Sequence, residues 1–110
     1  MPKDVKIVTL NNKKEYQRLL LNNVDTFGLK AGRVYLSSGQ ECGRHSTEDR
    51  EETLVFLQGK GQVIIGEESK VCEVGEGKVV YFPPHTIHNI KNTQSEPLVY
   101  VFNVVPVNKT

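Results

Sequence analysis

From Gly32 onward the chain is written in short apolar or alternating runs: Val34 to Leu36, Leu54 to Leu57, Val63 to Ile65, Val71 to Val74, Val79 to Phe82 and Leu98 to Val105. Turn-forming residues separate them, namely Gly59-Lys60-Gly61, Gly66-Glu67-Glu68-Ser69, Gly75-Glu76-Gly77 and Pro83-Pro84. Strands this short at such regular spacing predict an all-β sandwich or barrel. Gly59-Lys60-Gly61 reads as a hairpin turn, because glycine takes the positive φ angles that such turns need. The pattern before Gly32 differs. Asn11 or Asn12 is placed to cap a short helix running to about Leu21, with Glu15 as the reciprocal capping partner of Asn12 and Leu19 to Leu21 as its apolar patch. This is the only helix the pattern predicts. With no linker, repeat or low-complexity tract, one domain over 1–110 is expected, its barrel spanning about 30–105.

Two segments carry a shared spacing. Gly39 to Gly59 reads G-x5-H-x-T-x4-E-x6-G, with His45, Thr47 and Glu52 at the marked places. Gly77 to Asn92 reads G-x5-P-x-H-x2-H-x3-N, with Pro83, His85, His88 and Asn92 at theirs. The pair resembles the two motifs of the cupin superfamily, and departs from them at two positions. Thr47 stands where motif one usually has a second histidine, and His85 where motif two usually has glycine. The resemblance implies a double-stranded β-helix, or jelly-roll barrel, here with the short N-terminal helix added. It implies further that small barrels of this kind pair as homodimers by exchanging strands between their outer sheets.

The resemblance also implies a divalent transition metal, Fe, Mn, Ni or Zn, held in the barrel cavity by His45, Glu52 and His88. Imidazole nitrogen and carboxylate oxygen are good donors for such ions, and two histidines with one carboxylate leave coordination positions open. Side chains two apart on a strand share a face, so Thr47 projects with His45 and is expected beside the metal, at an open position or orienting a bound water or substrate. The alternative is a degenerate barrel whose polar residues bond one another or a ligand. Glu51 fits a shorter variant of motif one, but counting back from Gly59 selects Glu52 and the pleat sends Glu51 to the other face. His85 is expected in a tight turn after Pro83-Pro84. Cys42 falls on the opposite pleat from His45 unless a bulge at Gly43 turns it inward. Cys72 reads as a core filler.

Candidate wall residues are Arg33, Tyr35, Phe56, Tyr100 and Phe102. For the aromatics, ordinary barrel packing or a dimer interface is the competing reading. An inward Arg33 guanidinium would indicate an anionic substrate.

Composition narrows the partners. With 14 Lys and Arg against 13 Asp and Glu there is no basic field to attract nucleic acid or an anionic membrane. Two cysteines make neither a disulfide framework nor a C-x-x-C knuckle, and the apolar run from Val5 to Leu10 is too short for a signal peptide or a membrane span. A cytoplasmic protein with free thiols is expected. Two functions remain open: a metalloenzyme acting on a small molecule, and a non-catalytic small-ligand binding or sensing module, with or without metal.

Overall fold

The computed structural model describes residues 3–108. Nine strands are formed among them: β1 Gln17–Leu20, β2 Lys30–Leu36, β3 His45–Ser46, β4 Arg50–Gln58, β5 Lys60–Ile65, β6 Lys70–Gly75, β7 Val79–Phe82, β8 Ile87–Lys91 and β9 Leu98–Pro106. They make two antiparallel sheets, one ordered β1-β2-β9-β4-β7 and the other β3-β8-β5-β6. From β2 onward every connection except β5 to β6 passes from one sheet to the other, which wraps the chain into the jelly roll. The core lies between the sheets, where Leu36, Leu54, Phe56, Val63, Val74, Phe82, Ile90, Leu98 and Tyr100 pack together. No helix among the described residues is long and apolar enough to cross a membrane.

Sheet register sorts the inward side chains into rows. Lys30, Val104, Glu52 and Phe82 pair across β2, β9, β4 and β7; Gly32, Phe102, Leu54 and Val80 form the next row; Val34, Tyr100 and Phe56 the one after. Directly paired residues of antiparallel strands project to the same face. One end of the cavity is therefore walled by charge, and the wall turns apolar with depth.

Two expectations from the sequence are corrected. Gly59 is not a hairpin turn: β4 and β5 belong to different sheets, and Gly59 is the corner between them. Its φ is +86°, and a Cβ there would collide with the Pro97 carbonyl oxygen, so the crossing needs glycine for its close approach as well as its dihedral. The predicted N-terminal helix is also absent. Residues 17–20 instead form the edge strand β1, and the preceding segment wraps around Arg33. The Arg33 guanidinium donates to Asn11 Oδ1 at 2.6 Å, to the Lys13 carbonyl at 2.9 Å and to the Glu15 carbonyl at 3.2 Å. Asn11 Oδ1 also accepts from the Lys13 amide, folding the chain back as a turn. A helix would aim those carbonyls along its own axis. Their capture by a buried cation, with the Tyr16 ring lying over Gly32, overrides a weak local propensity.

Candidate metal centre

Strand β3 is two residues long, yet its register decides the site. His45 pairs directly with His88 of β8, so the two imidazoles are cross-strand neighbours, with ring centroids 4.3 Å apart. Glu52 reaches the same place from β4 in the other sheet, its Oε1 lying 3.2 Å from His88 Nε2. Each of the three offers a ligand atom, and those atoms all lie within 4.8 Å of one another. Two donors on one ion, each about 2.1 Å from it, stand at most about 4.2 Å apart, so small side-chain rotations suffice to close the set on a metal.

Tautomers are fixed by the backbone. His45 Nδ1 lies 2.8 Å from the Gly43 carbonyl and His88 Nδ1 lies 3.0 Å from the Thr86 carbonyl. A carbonyl only accepts, so both Nδ1 atoms carry hydrogen. In the neutral ring this leaves each Nε2 with its lone pair free. His88 is 1% exposed, and its Nε2 has no oriented hydrogen-bond partner despite the short distance to Glu52. A buried lone pair facing a carboxylate is repulsive unless a cation lies between them, and an orphaned buried polar atom is costly. Phe82 stacks on the His88 ring with centroids 4.0 Å apart and holds its plane.

The three groups open into a cavity of about 290 Å³. Its wall includes Val34, Leu54, Ile90, Tyr100 and Phe102, with Cys42 and Thr47 as polar members. Burial pushes the Tyr100 phenol well above its ordinary value, with the neighbouring Cys42 thiol adding to the rise. Burial likewise raises the Cys42 thiol. Cys42 lines the cavity and keeps an exposed surface.

The other expected residues divide. Tyr100 and Phe102 line the cavity; Phe56 lies deeper, packed on Tyr100 with centroids 5.1 Å apart. Arg33 and Tyr35 do share a face of β2, but it is the outer one, since Lys30 and Val34 take the cavity side. Arg33 is 3% exposed through its contacts with residues 11–17 and does not reach the cavity. Thr47 is 3% exposed, and its hydroxyl donates to the Pro83 carbonyl at 2.7 Å and accepts from the Thr86 amide at 3.0 Å. It therefore pins the motif-two turn, with its one hydrogen already given to a carbonyl. His85 sits in the turn at φ +57°, with Nε2 3.1 Å from Asp49 at the surface. Glu51 points away from the cavity and accepts from the Tyr81 hydroxyl. Cys42 reaches the cavity because Gly43, at φ +108°, breaks the alternation. Cys72, half-buried, pairs with Val63.

Lys30 and Arg50 also line the cavity and were not singled out from sequence. The signal for Arg50 was present, since it precedes Glu52 by two residues on one strand. Lys30 was legible only through the β2–β9–β4 register.

Residues 32–105 match the Cupin domain family. Among curated proteins, the glucose-6-phosphate isomerase of Pyrococcus abyssi is 37% identical over 60 residues, covering 52% of this chain and 32% of that protein. The enzyme of the same name from Thermococcus kodakarensis is 33% identical over the same shares. The chain's match thus spans 32% of the length of these relatives. Among solved structures, a Bacillus halodurans protein superposes with TM-score 0.77 at 20% identity, covering 90% of this chain and 76% of the other. An RmlC-like cupin family protein of Methanocaldococcus jannaschii gives 0.74 at 18% identity, covering 96% and 93%. The cupin domain of Schizosaccharomyces pombe Cnp3 gives 0.72 at 19% identity, covering 83% and 63%. At such identities these structures show the shared fold.

Proposed function

This chain belongs to the Cupin domain family, and we propose that its cavity is a divalent transition-metal site, held by His45 Nε2, Glu52 and His88 Nε2, which serves a reaction on a small molecule. The carrying observation is the buried His88 Nε2, whose lone pair faces the Glu52 carboxylate while Nδ1 is held by the Thr86 carbonyl. Carbonyl partners on the far nitrogens orient both rings toward one point, as the supporting shell of a metal site does. The chemistry of the donors suits Fe, Mn, Ni or Zn. A bound metal would supply Lewis acidity toward a substrate oxygen. Around it this chain contributes an apolar wall that excludes water and the neutral Tyr100 phenol as a hydrogen-bond donor. Glucose-6-phosphate isomerisation, the activity for which the curated relatives are named, supplies the first reaction to assay.

The test is metal content after incubation with each ion and desalting. The parent should retain close to one equivalent; His88→Ala and His45→Ala should retain little; His85→Ala, altered only in the surface turn, should match the parent. Equal losses from His85→Ala and His88→Ala would overturn the ligand assignment. The 3.2 Å contact also fits a protonated His88 paired with Glu52, which would make the cavity a metal-free small-ligand module. Failure of the parent to retain any ion would establish that second reading.

We propose, too, that the protein forms a homodimer. Support comes from Val5 and Ile7, 92% and 91% exposed, on an extended N-terminal arm beside the edge strand β1. Apolar side chains on an extended arm at a sheet edge suit strand addition to a second copy. Light scattering of the parent and of Val5→Lys/Ile7→Lys checks this, and a monomeric parent refutes it.

A further inference from the structure

The inward row that begins with Lys30 gives the cavity a charge balance that the three ligand residues alone do not explain. Lys30 pairs with Val104, which pairs with Glu52, so Lys30 faces the cavity two strands from the carboxylate. Arg50 precedes Glu52 by two residues on β4 and shares its face, and both cations line the cavity. Arg50 Nε is anchored on the Thr47 carbonyl at 3.4 Å, which leaves its terminal nitrogens for another acceptor. Among the described residues neither Lys30 nor Arg50 makes an ion pair, although Arg44, Lys6 and Lys91 all do. Among the described residues Glu52 is the only carboxylate lining the cavity, and it is turned toward His88. Among the described residues, two cations without an ion-pair partner thus line the cavity from β2 and β4, on either side of β9.

We propose that the cavity takes a small anionic ligand whose carboxylate or phosphate oxygens lie between Lys30 and Arg50 while the rest of the molecule faces the His45, Glu52 and His88 cluster. This substrate class rests on the metal-site reading for its second anchor, and on the two cations for its first. Arg33, which sequence offered as the anion-binding group, is consumed in the fold on the outer face. Lys30 and Arg50 take that role in its place. An arginine presents a planar fork to paired oxygens and a lysine a mobile point charge, a combination that tolerates either oxyanion geometry. The cavity, about 290 Å³, limits the ligand to a metabolite-sized acid.

The experiment is calorimetric titration of Ni-loaded protein with inorganic phosphate, malonate and, as a neutral control, glucose, at low and at high NaCl. Parent protein is compared with Lys30→Gln, Arg50→Gln and the double variant. Each substitution should weaken anion binding about tenfold, the scale of a hydrogen bond to a charged group, while Ni content stays at the parent level. High salt should weaken parent binding and leave the double variant little changed. Preference for phosphate or for malonate assigns the oxyanion. Parent and double variant binding both anions equally, with Ni retained, would overturn the proposal. If the parent holds no Ni, the same titrations on the metal-free protein still read the two cations: a difference between parent and double variant upholds the anion site, and no difference refutes it.

Discussion

Replacing Thr47 by valine keeps the shape of a side chain that is 3% exposed and removes only its hydroxyl. Two backbone groups then lose their partner, the Pro83 carbonyl at 2.7 Å and the Thr86 amide at 3.0 Å. An orphaned buried polar group costs about 1–3 kcal/mol, so the pair should cost roughly 2–6 kcal/mol. For a domain of this size that lowers the thermal midpoint by about 8–25 °C. The loss should reach the metal site, because the Thr86 carbonyl holds His88 Nδ1 at 3.0 Å and so sets the direction of Nε2. Changes in such supporting groups commonly cost about 10–100-fold in metal affinity. Thr47→Ser keeps the oxygen and removes one methyl, with a cost near 1 kcal/mol and affinity close to the parent. Thermal unfolding followed by circular dichroism, and competition with a chelating dye, measure the two effects. If valine and serine variants have the same midpoint and the same affinity, the hydroxyl is neither staple nor positioning group and the account of Thr47 fails.

Arg33→Met should free the segment before β1, since it removes the donor shared by Asn11, Lys13 and Glu15; limited proteolysis should then cut within residues 9–16 while the metal content is unchanged, and unaltered resistance would refute the wrapping role. The Lys6 ammonium, and after it the Leu21 amide, hold Asp25 below its ordinary carboxylate value. The folded state therefore binds fewer protons than the unfolded one between the two values, and the contribution of Asp25 is complete above its unfolded value and lost as pH falls through the folded one. Amide exchange of Leu21 should accelerate in that acid window relative to the exchange expected of a free amide, and Asp25→Asn should abolish the pH dependence.

The barrel was legible in the sequence because strand alternation is a local signal, and the motif spacing located His45, Glu52 and His88 without any knowledge of register. What escaped depended on contacts between distant segments. Asn12 and Glu15 satisfy the local rules for a helix start, but the rules do not include Arg33, buried a sheet strand away and in need of carbonyl acceptors. The same residue illustrates how a face is misjudged: the pairing of Arg33 with Tyr35 was correct, and only the direction of β2 relative to the core, set by Lys30 and Val34, shows that both point outward. Gly59 looked like a hairpin because a corner between sheets and a tight turn ask for the same dihedral. Thr47 lines the cavity, yet the destination of its hydroxyl is a carbonyl 36 residues away.

The site's composition also bears on how the barrel is held shut. His45 and His88 are neighbours within one sheet and already joined by the β3–β8 ladder, whereas Glu52 belongs to the other sheet. Around the ligand cluster the two sheets meet through side chains, and the polar contact that spans them there is Glu52 to His88, at 3.2 Å and poorly oriented for a hydrogen bond. A cation bound by all three would tie the two sheets together beside the cavity. Because such an ion binds only the folded arrangement, its free energy adds to stability by mass action, about 2.7 kcal/mol at a free concentration one hundred times the dissociation constant. If the proposed ion binds, it would turn the contact between His88 and Glu52 into a link between the two sheets, so metal loading should raise the thermal midpoint of the parent and not that of His88→Ala.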